Sequence, residues 1–312
     1  KADKPFFLYL AHYAPHKPIQ APKVRVDQCL DRYRAGFEKL QKARYARQQK
    51  LGVLPENCEL AAGMPSWDKL TQAKKDKWTT TMATYAAMIE IMDEGIGQLI
   101  DVLKKNGQYD NTLILVLSDN GSSDKQKGKK QVAELLASLS NTPFSGAKAH
   151  ALEGGISSPL IVSWPEKLKE YANQIRDGHC HIIDVLPSCL EAAGVKFPAS
   201  FKGIKPVQAD GINLMAAVKG AELENRSFFW EHLQSRAVYR DGWKLVADKT
   251  LWKLYDLSKD PAEQSDLSSK HPERASALKA LWTEWAEEYD VIPWPSARKK
   301  LPAKAKVTPA SL

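Results

Sequence analysis

The sequence is poor in cysteine, lacks any cysteine pair spaced to hold zinc, and has no apolar run long enough to cross a membrane. Cysteine occurs four times in 312 residues, as Cys29, Cys58, Cys180 and Cys189. None forms a C-x-x-C pair, which argues against a zinc framework and leaves free thiols as the default. No stretch approaches the roughly 20 apolar residues of a spanning helix. No internal repeat and no nucleic-acid-binding module is recognisable, so the net charge of +8 reads as a solvated, lysine-rich surface. Part of that charge lies after Asp290, where Arg298, Lys299, Lys300, Lys304 and Lys306 stand without an acid. The chain opens with neither an initiator methionine nor a signal peptide, as a processed chain or a piece of a longer one would.

What is present is ordinary for a soluble globular protein: 43% hydrophobic and 26% charged residues, in a chain long enough for one large or two ordinary domains. A strand is expected at Phe6 to Ala11 and a charged helical region from Arg32 to Lys50. From Thr79 to Asn106, Met82, Tyr85, Ile89, Met92, Ile96, Leu99 and Leu103 recur at steps of three and four, one stripe of an amphipathic helix. Asn106-Gly107 closes it. Thr112 to Leu117 is apolar without alternation, the pattern of a strand covered on both faces in a parallel sheet. A short helix is expected near Val132 to Leu139 and a strand at Leu160 to Ser163. A further helix is expected with Asp184 as its N-cap, Pro187 early and Gly194 at its end. Beyond Asn225 four short strands follow, with Asp241-Gly242 as a hairpin signal, and then a helix from Pro272 to Tyr289.

Ligands of open α/β sheets bind beyond the carboxyl ends of strands. Asp119 and Asn120 stand there, in "LVLSDNGSSD", and offer hard oxygen donors. A simple Asp-Asn-Gly turn is the competing account. His16, in "APHKP", follows the first expected strand and could equally be a surface histidine. Lys148, in "SGAKAHALEGG", could be one more solvated lysine. His232 and Arg236 could be polar residues of an edge strand. Together, a hard-cation site, a lysine and a histidine suit a doubly charged oxyanion, and both phosphate and sulfate esters fit.

The blocks "PFFLYLAHYAPHKPIQAP", "YAAMIEIMDEGIGQLIDVLKKNGQYDNTLILVLSDNG", "EGGISSPLIVSWP", "GHCHIIDVLPSCLEAAGV" and "FFWEHLQSRAVYRDGWKLV" occur in an order that resembles the sulfatase family, in particular its bacterial arylsulfatase-like members. The resemblance runs from Lys4 to about Pro295. It implies an α/β fold with an alkaline-phosphatase-like sheet flanked by helices over residues 1–222, a C-terminal α+β subdomain over 223–292, and an unstructured basic tail over 293–312. By position it makes Asp119 and Asn120 calcium ligands, with Asp119 also orienting the nucleophile. Lys148 becomes a sulfate contact, His16 the sulfate contact that assists the leaving oxygen, and His232 a residue of the substrate pocket. It further implies a sulfate-ester substrate, aryl or carbohydrate, and export to the periplasm or beyond. The family's nucleophile is a formylglycine made in a C-x-P-S-R or S-x-P-x-R segment, and no such segment occurs here. The paired aspartates that complete the family's calcium site are also without a match. The expectation is therefore a sulfatase truncated at its amino end and inactive by itself. The alternatives are a phosphoester hydrolase of the same superfamily and a non-catalytic remnant. Leu152 and Ser157 stand where relatives often carry an aromatic residue and an arginine.

Overall fold

The computed structural model describes residues 4–61, 66–123, 130–223, 225–248, 251–292 and 294. Its helices are α1 (Lys23–Tyr33), α2 (Phe37–Lys50), α3 (Gln72–Lys105), α4 (Lys130–Ser140), α5 (Glu153–Ile156), α6 (Pro165–Leu168), α7 (Val185–Ala192), α8 (Met215–Val218) and α9 (Pro272–Glu288). Strands β1 (Ile114–Leu117) and β2 (Leu160–Ser163) form one sheet. Strands β3 (Phe228–His232), β4 (Ser235–Arg240), β5 (Trp243–Asp248) and β6 (Leu251–Asp256) form a second, antiparallel sheet in sequential order. No helix among the described residues is long and apolar enough to cross a membrane.

The long helix α3 organises the first half of the chain. Its Trp78 and Met82 pack with Phe37 of α2 and with Leu135, Leu136 and Leu139 of α4. On the adjoining face of α3, Ala83, Ala86 and Ala87 receive Val26 and Cys29 of α1. The small alanines let the two helices approach closely, and Arg25 and Arg32 of α1 pair with Glu94 and Glu90 across the seam. The predicted stripe is covered at Met82 and Leu103, but Ile89 remains 36% exposed. The charged region predicted from Arg32 to Lys50 is broken in two at Gly36. There φ is +86°, and an added Cβ would lie 2.7 Å from the Trp67 ring.

The second sheet has two faces, set by the alternation of its strands. Val238, Leu245 and Leu254 face α9, against Leu278 and Trp282. Ala237, Val246 and Tyr255 face the other way and pack on Ala151. Both two-residue turns, Leu233-Gln234 and Asp241-Gly242, have positive φ at each position, which matches the right-handed twist of the flanking strands.

Three expectations need correction. Phe6 to Ala11 is not a strand: it has no ladder partner among the described residues, and Phe7 and Tyr9 are 79% and 81% exposed. An apolar run becomes a strand only where a neighbour takes its N–H and C=O groups. β1 does exist, but it pairs antiparallel with β2, in register from Ile114↔Ser163 to Leu117↔Leu160. It is not covered on both faces, since Leu117 is 38% and Ile161 of its partner 60% exposed. Asp184 does not cap α7 with its side chain. The cap is His181, one short 3₁₀ turn earlier, and the buried Asp184 carboxylate instead takes the N–H groups of His181 and Ile212 and a bidentate pair with Arg226. The four cysteines are free thiols. The expected basic tail lies outside the described residues except for Trp294.

Candidate active site

β1 ends at Leu117 and leaves Asp119 exposed and Asn120 half-buried just past the strand. Ser118 shapes this corner by donating its hydroxyl to the Asn120 carbonyl at 2.9 Å. The next residues are clasped to the segment that carries Lys148. Gly121 N–H donates to Gly155 O at 2.9 Å, and Lys148 N–H donates to Ser122 O at 3.0 Å. Asn141, just past α4, accepts from Ser122 N–H at 2.8 Å and donates to Gly146 O at 3.1 Å.

This clasp explains the glycines. Gly121 does not adopt positive φ, so turn geometry is not what requires it. A Cβ there would lie 1.9 Å from Gly154 O, and one on Gly155 would lie 2.1 Å from His150 O. Both positions admit only hydrogen because two backbones cross in contact. The simple-turn account of Asp-Asn-Gly therefore misses what Gly121 does.

Lys148 is half-buried, and among the described residues its ammonium makes no ion pair or hydrogen bond. The following residue, Ala149, sits at φ +76°, a left-handed conformation that a side chain adopts at a cost and that clusters at functional sites. His16 is exposed. Its contacts are local, an edge-on approach to the Tyr13 ring and Nδ1 2.8 Å from the Lys17 carbonyl. No such contact joins it to Asp119, Asn120 or Lys148 among the described residues. His232 ends β3 opposite Ser235, whose hydroxyl accepts the Ala151 N–H at 2.8 Å. The β3–β4 turn is thus held against the Lys148 segment. Backbone bonds tie the residues that follow Asp119-Asn120 to the Lys148 segment, the His232 hairpin is held against that segment, and His16 makes local contacts only among the described residues.

Sequence reasoning missed the residues that brace this segment. Lys244 of β5 is fully buried, with Nζ 2.5 Å from Glu153 and 2.8 Å from Glu263. Glu263 also accepts the Glu153 N–H at 2.6 Å. Burial works against the charge on Lys244, but the two carboxylates outweigh it and hold the ammonium above its ordinary range. Burial, joined by the Glu153 charge against the pull of Lys244, pushes Glu263 up to about 7. A lysine inside the apolar run "WKLVA" was the available signal, because buried charges come paired.

A sulfatase family model matches residues 1–195, more than half of the chain. The chain belongs to the sulfatase family. A second model, described as the C-terminal part of N-sulphoglucosamine sulphohydrolase, matches residues 147–289. An uncharacterized sulfatase of Schizosaccharomyces pombe is 32% identical over 93% of this chain and 59% of its own length. An arylsulfatase of Klebsiella aerogenes is 29% identical over 72% of this chain and 53% of its own. An N-acetylglucosamine-6-O-sulfatase of Bacteroides thetaiotaomicron is 26% identical over 68% of this chain and 37% of its own. The chain therefore spans about half the length of these sulfatases. A crystal structure of Ps i-CgsB in complex with k-i-k-neocarrahexaose superposes with a TM-score of 0.61 at 24% identity, covering 91% of this chain and 50% of that one. The fold is accordingly the family's alkaline-phosphatase-like α/β architecture.

Among the described residues no group of three or more His, Cys, Asp or Glu side chains could hold a metal ion. Asp119 and Asn120 fit a hard cation in donor type, since both bind through oxygen, and they account for only part of a calcium shell of roughly six to eight oxygens.

Proposed function

We propose that this chain forms part of a calcium-dependent sulfuric ester hydrolase. In it Asp119 and Asn120 hold the ion, Lys148 binds the sulfate group and His16 serves the leaving oxygen. The supporting observation is the double backbone clasp, Gly121 to Gly155 and Lys148 to Ser122, which ties the segment that follows Asp119-Asn120 to the one that carries Lys148.

An ammonium without a partner among the described residues, half withdrawn from water, is poised for an anion. Lys148 would lie against the non-bridging oxygens and offset charge there. Calcium, when bound, supplies further neutralisation of those oxygens. His16 directs Nδ1 at the Lys17 carbonyl, which leaves Nε2 for a leaving alkoxide. It gives up a proton there only from the imidazolium form. The formylglycine that the family uses as nucleophile matches no segment of this chain, so these residues act in binding and in departure of the alcohol.

The substrate class proposed is a sulfated carbohydrate, with the N-acetylglucosamine-6-O-sulfatase relative in support. Aryl sulfates stand second, through the arylsulfatase relative. Phosphate monoesters are the weaker alternative.

The test uses the longest translated form of the protein containing these residues. Sulfate monoesters with alcohols of widely different pKa are compared for the wild type and His16→Ala. A deficit that grows toward poor leaving groups, reaching about 10²–10⁴-fold, is expected. Phosphate esters turning over in preference to sulfate esters would overturn the proposal. A flat deficit would remove the proton-donor role of His16.

A further inference from the structure

We propose that Lys244 is a positioning residue: with Glu153 and Glu263 it fixes the Lys148 segment against the second sheet, and so sets where the sulfate-binding ammonium stands. The inference rests on the assignment of Lys148 to sulfate.

Three bonds, two from the sheet and one from the connection that follows β6, converge on residues 151–153. Ser235 accepts the Ala151 N–H at 2.8 Å. Glu263 accepts the Glu153 N–H at 2.6 Å. Lys244 holds the Glu153 carboxylate at 2.5 Å. On the other side, Lys148 itself is tied to Ser122 and Gly154 to Ser145, at 3.0 and 2.7 Å. The segment from Lys148 to Gly155 is thus anchored at both ends. Between the anchors sits Ala149 in its left-handed conformation, which such over-determination can maintain. Glu263 is itself at φ +55°, although it carries a side chain and is buried. The connection after β6 therefore gives up backbone comfort to deliver this carboxylate.

A buried ion cluster is a poor way to gain stability, because desolvation takes back most of the attraction. Its strength is directional: charged groups with few permitted geometries hold a backbone in one register. Lys244 lies on the same sheet face as Ala237 and Val246, which pack on Ala151, so apolar contact and ionic contact fix the same segment. The Trp230 ring, 5.8 Å from Nζ, covers the cluster.

The chemistry discriminates between substitutions at Glu263. Glutamine keeps the acceptor for the Glu153 N–H and resembles the protonated acid, which this site favours; alanine removes the acceptor. The experiment measures native-state hydrogen exchange and inorganic sulfate affinity on the 312-residue chain for the wild type, Lys244→Met, Glu263→Gln and Glu263→Ala, with Lys148→Ala as reference. In Lys244→Met and Glu263→Ala, amides of residues 148–155 should exchange faster while those of α3 and β4 keep their protection. Lys148-dependent sulfate affinity should fall about tenfold, the usual scale for loss of a supporting residue. Glu263→Gln should stay near the wild type on both measures. If Lys244→Met does not fold, the contrast between the alanine and glutamine variants decides by the same criterion. Unchanged or uniformly faster exchange, with sulfate binding still dependent on Lys148, overturns the positioning role alone. Sulfate binding indifferent to Lys148→Ala overturns the assignment of Lys148, and the positioning role with it.

Discussion

Asn141 bonds both backbone groups of Ser122: its Oδ1 accepts the N–H at 2.8 Å and its Nδ2 donates to the C=O at 3.3 Å. One amide side chain therefore replaces a strand partner for the residue that follows Asp119-Asn120-Gly121. Asn141→Ala removes both bonds: the Ser122 C=O keeps the Lys148 N–H, but the partly buried Ser122 N–H loses the Asn141 acceptor. A loss of about 2–3 kcal/mol in unfolding free energy is expected, from the cost of unmet buried polar groups. Urea denaturation measures it. Asn141→Asp keeps the acceptor and should lose less.

The glycines divide into two kinds, and alanine substitution should separate them by sign. At Gly121 an added Cβ meets Gly154 O at 1.9 Å, whereas at Gly95 in α3 it meets nothing within 4 Å. Gly121→Ala should destabilise by at least about 1–3 kcal/mol, because backbone must move to admit it. Gly95→Ala should stabilise by about 0.5–1 kcal/mol, since a helix interior favours alanine. Thermal melts of both variants check the pair.

Much of this was legible in the sequence. The 3.6-residue stripe located α3, and the alternating strands with Asp-Gly between them located the second sheet. The sequence blocks pointed to the family that the family model then showed. What was not legible came from distant partners. Nothing local tells that Asp184 will be buried under Arg226, 42 positions on, or that Glu153 will meet a lysine 91 positions away. The apolar run Phe6 to Ala11 carries strand propensity, but a ladder needs a second strand, which propensity does not supply.

Arg226→Met should be among the most damaging single changes outside the site. Asp184 is completely buried, and burial alone would raise its pKa, but the Arg226 bonds and the backbone N–H groups outweigh this and hold it below the ordinary carboxylate value. Removing the arginine strands a buried charge, at a cost of about 3–5 kcal/mol. Urea denaturation at neutral pH measures it. Asp184→Asn combined with Arg226→Met should recover part of the loss.

Stability should also depend on pH through Glu263. Its folded pKa of about 7 lies above the ordinary 4.5, so folding takes up a proton between these values. The contribution is fully present below the ordinary value, is lost as pH rises toward about 7, and is flat beyond. The groups facing it are Lys244, Glu153 and Tyr255, with Asp260 nearby. In that window the slope should approach about 1.4 kcal/mol per pH unit for one proton. Glu263→Gln should abolish this part of the slope. Urea midpoints measured from pH 4.5 to 8 test it, and an identical profile for the variant would remove Glu263 as the source.

The central claim is that Asp119, Asn120 and Lys148 form one binding site for a sulfate group. Titration calorimetry with inorganic sulfate, in the presence and absence of saturating calcium, tests it most directly on the wild type, Lys148→Ala and Asp119→Ala. Sites that share a ligand are reciprocally coupled. The account predicts that calcium tightens sulfate binding in the wild type, that Asp119→Ala abolishes this tightening, and that Lys148→Ala weakens sulfate binding with or without calcium. Sulfate affinity that is the same in all three proteins and indifferent to calcium would contradict it.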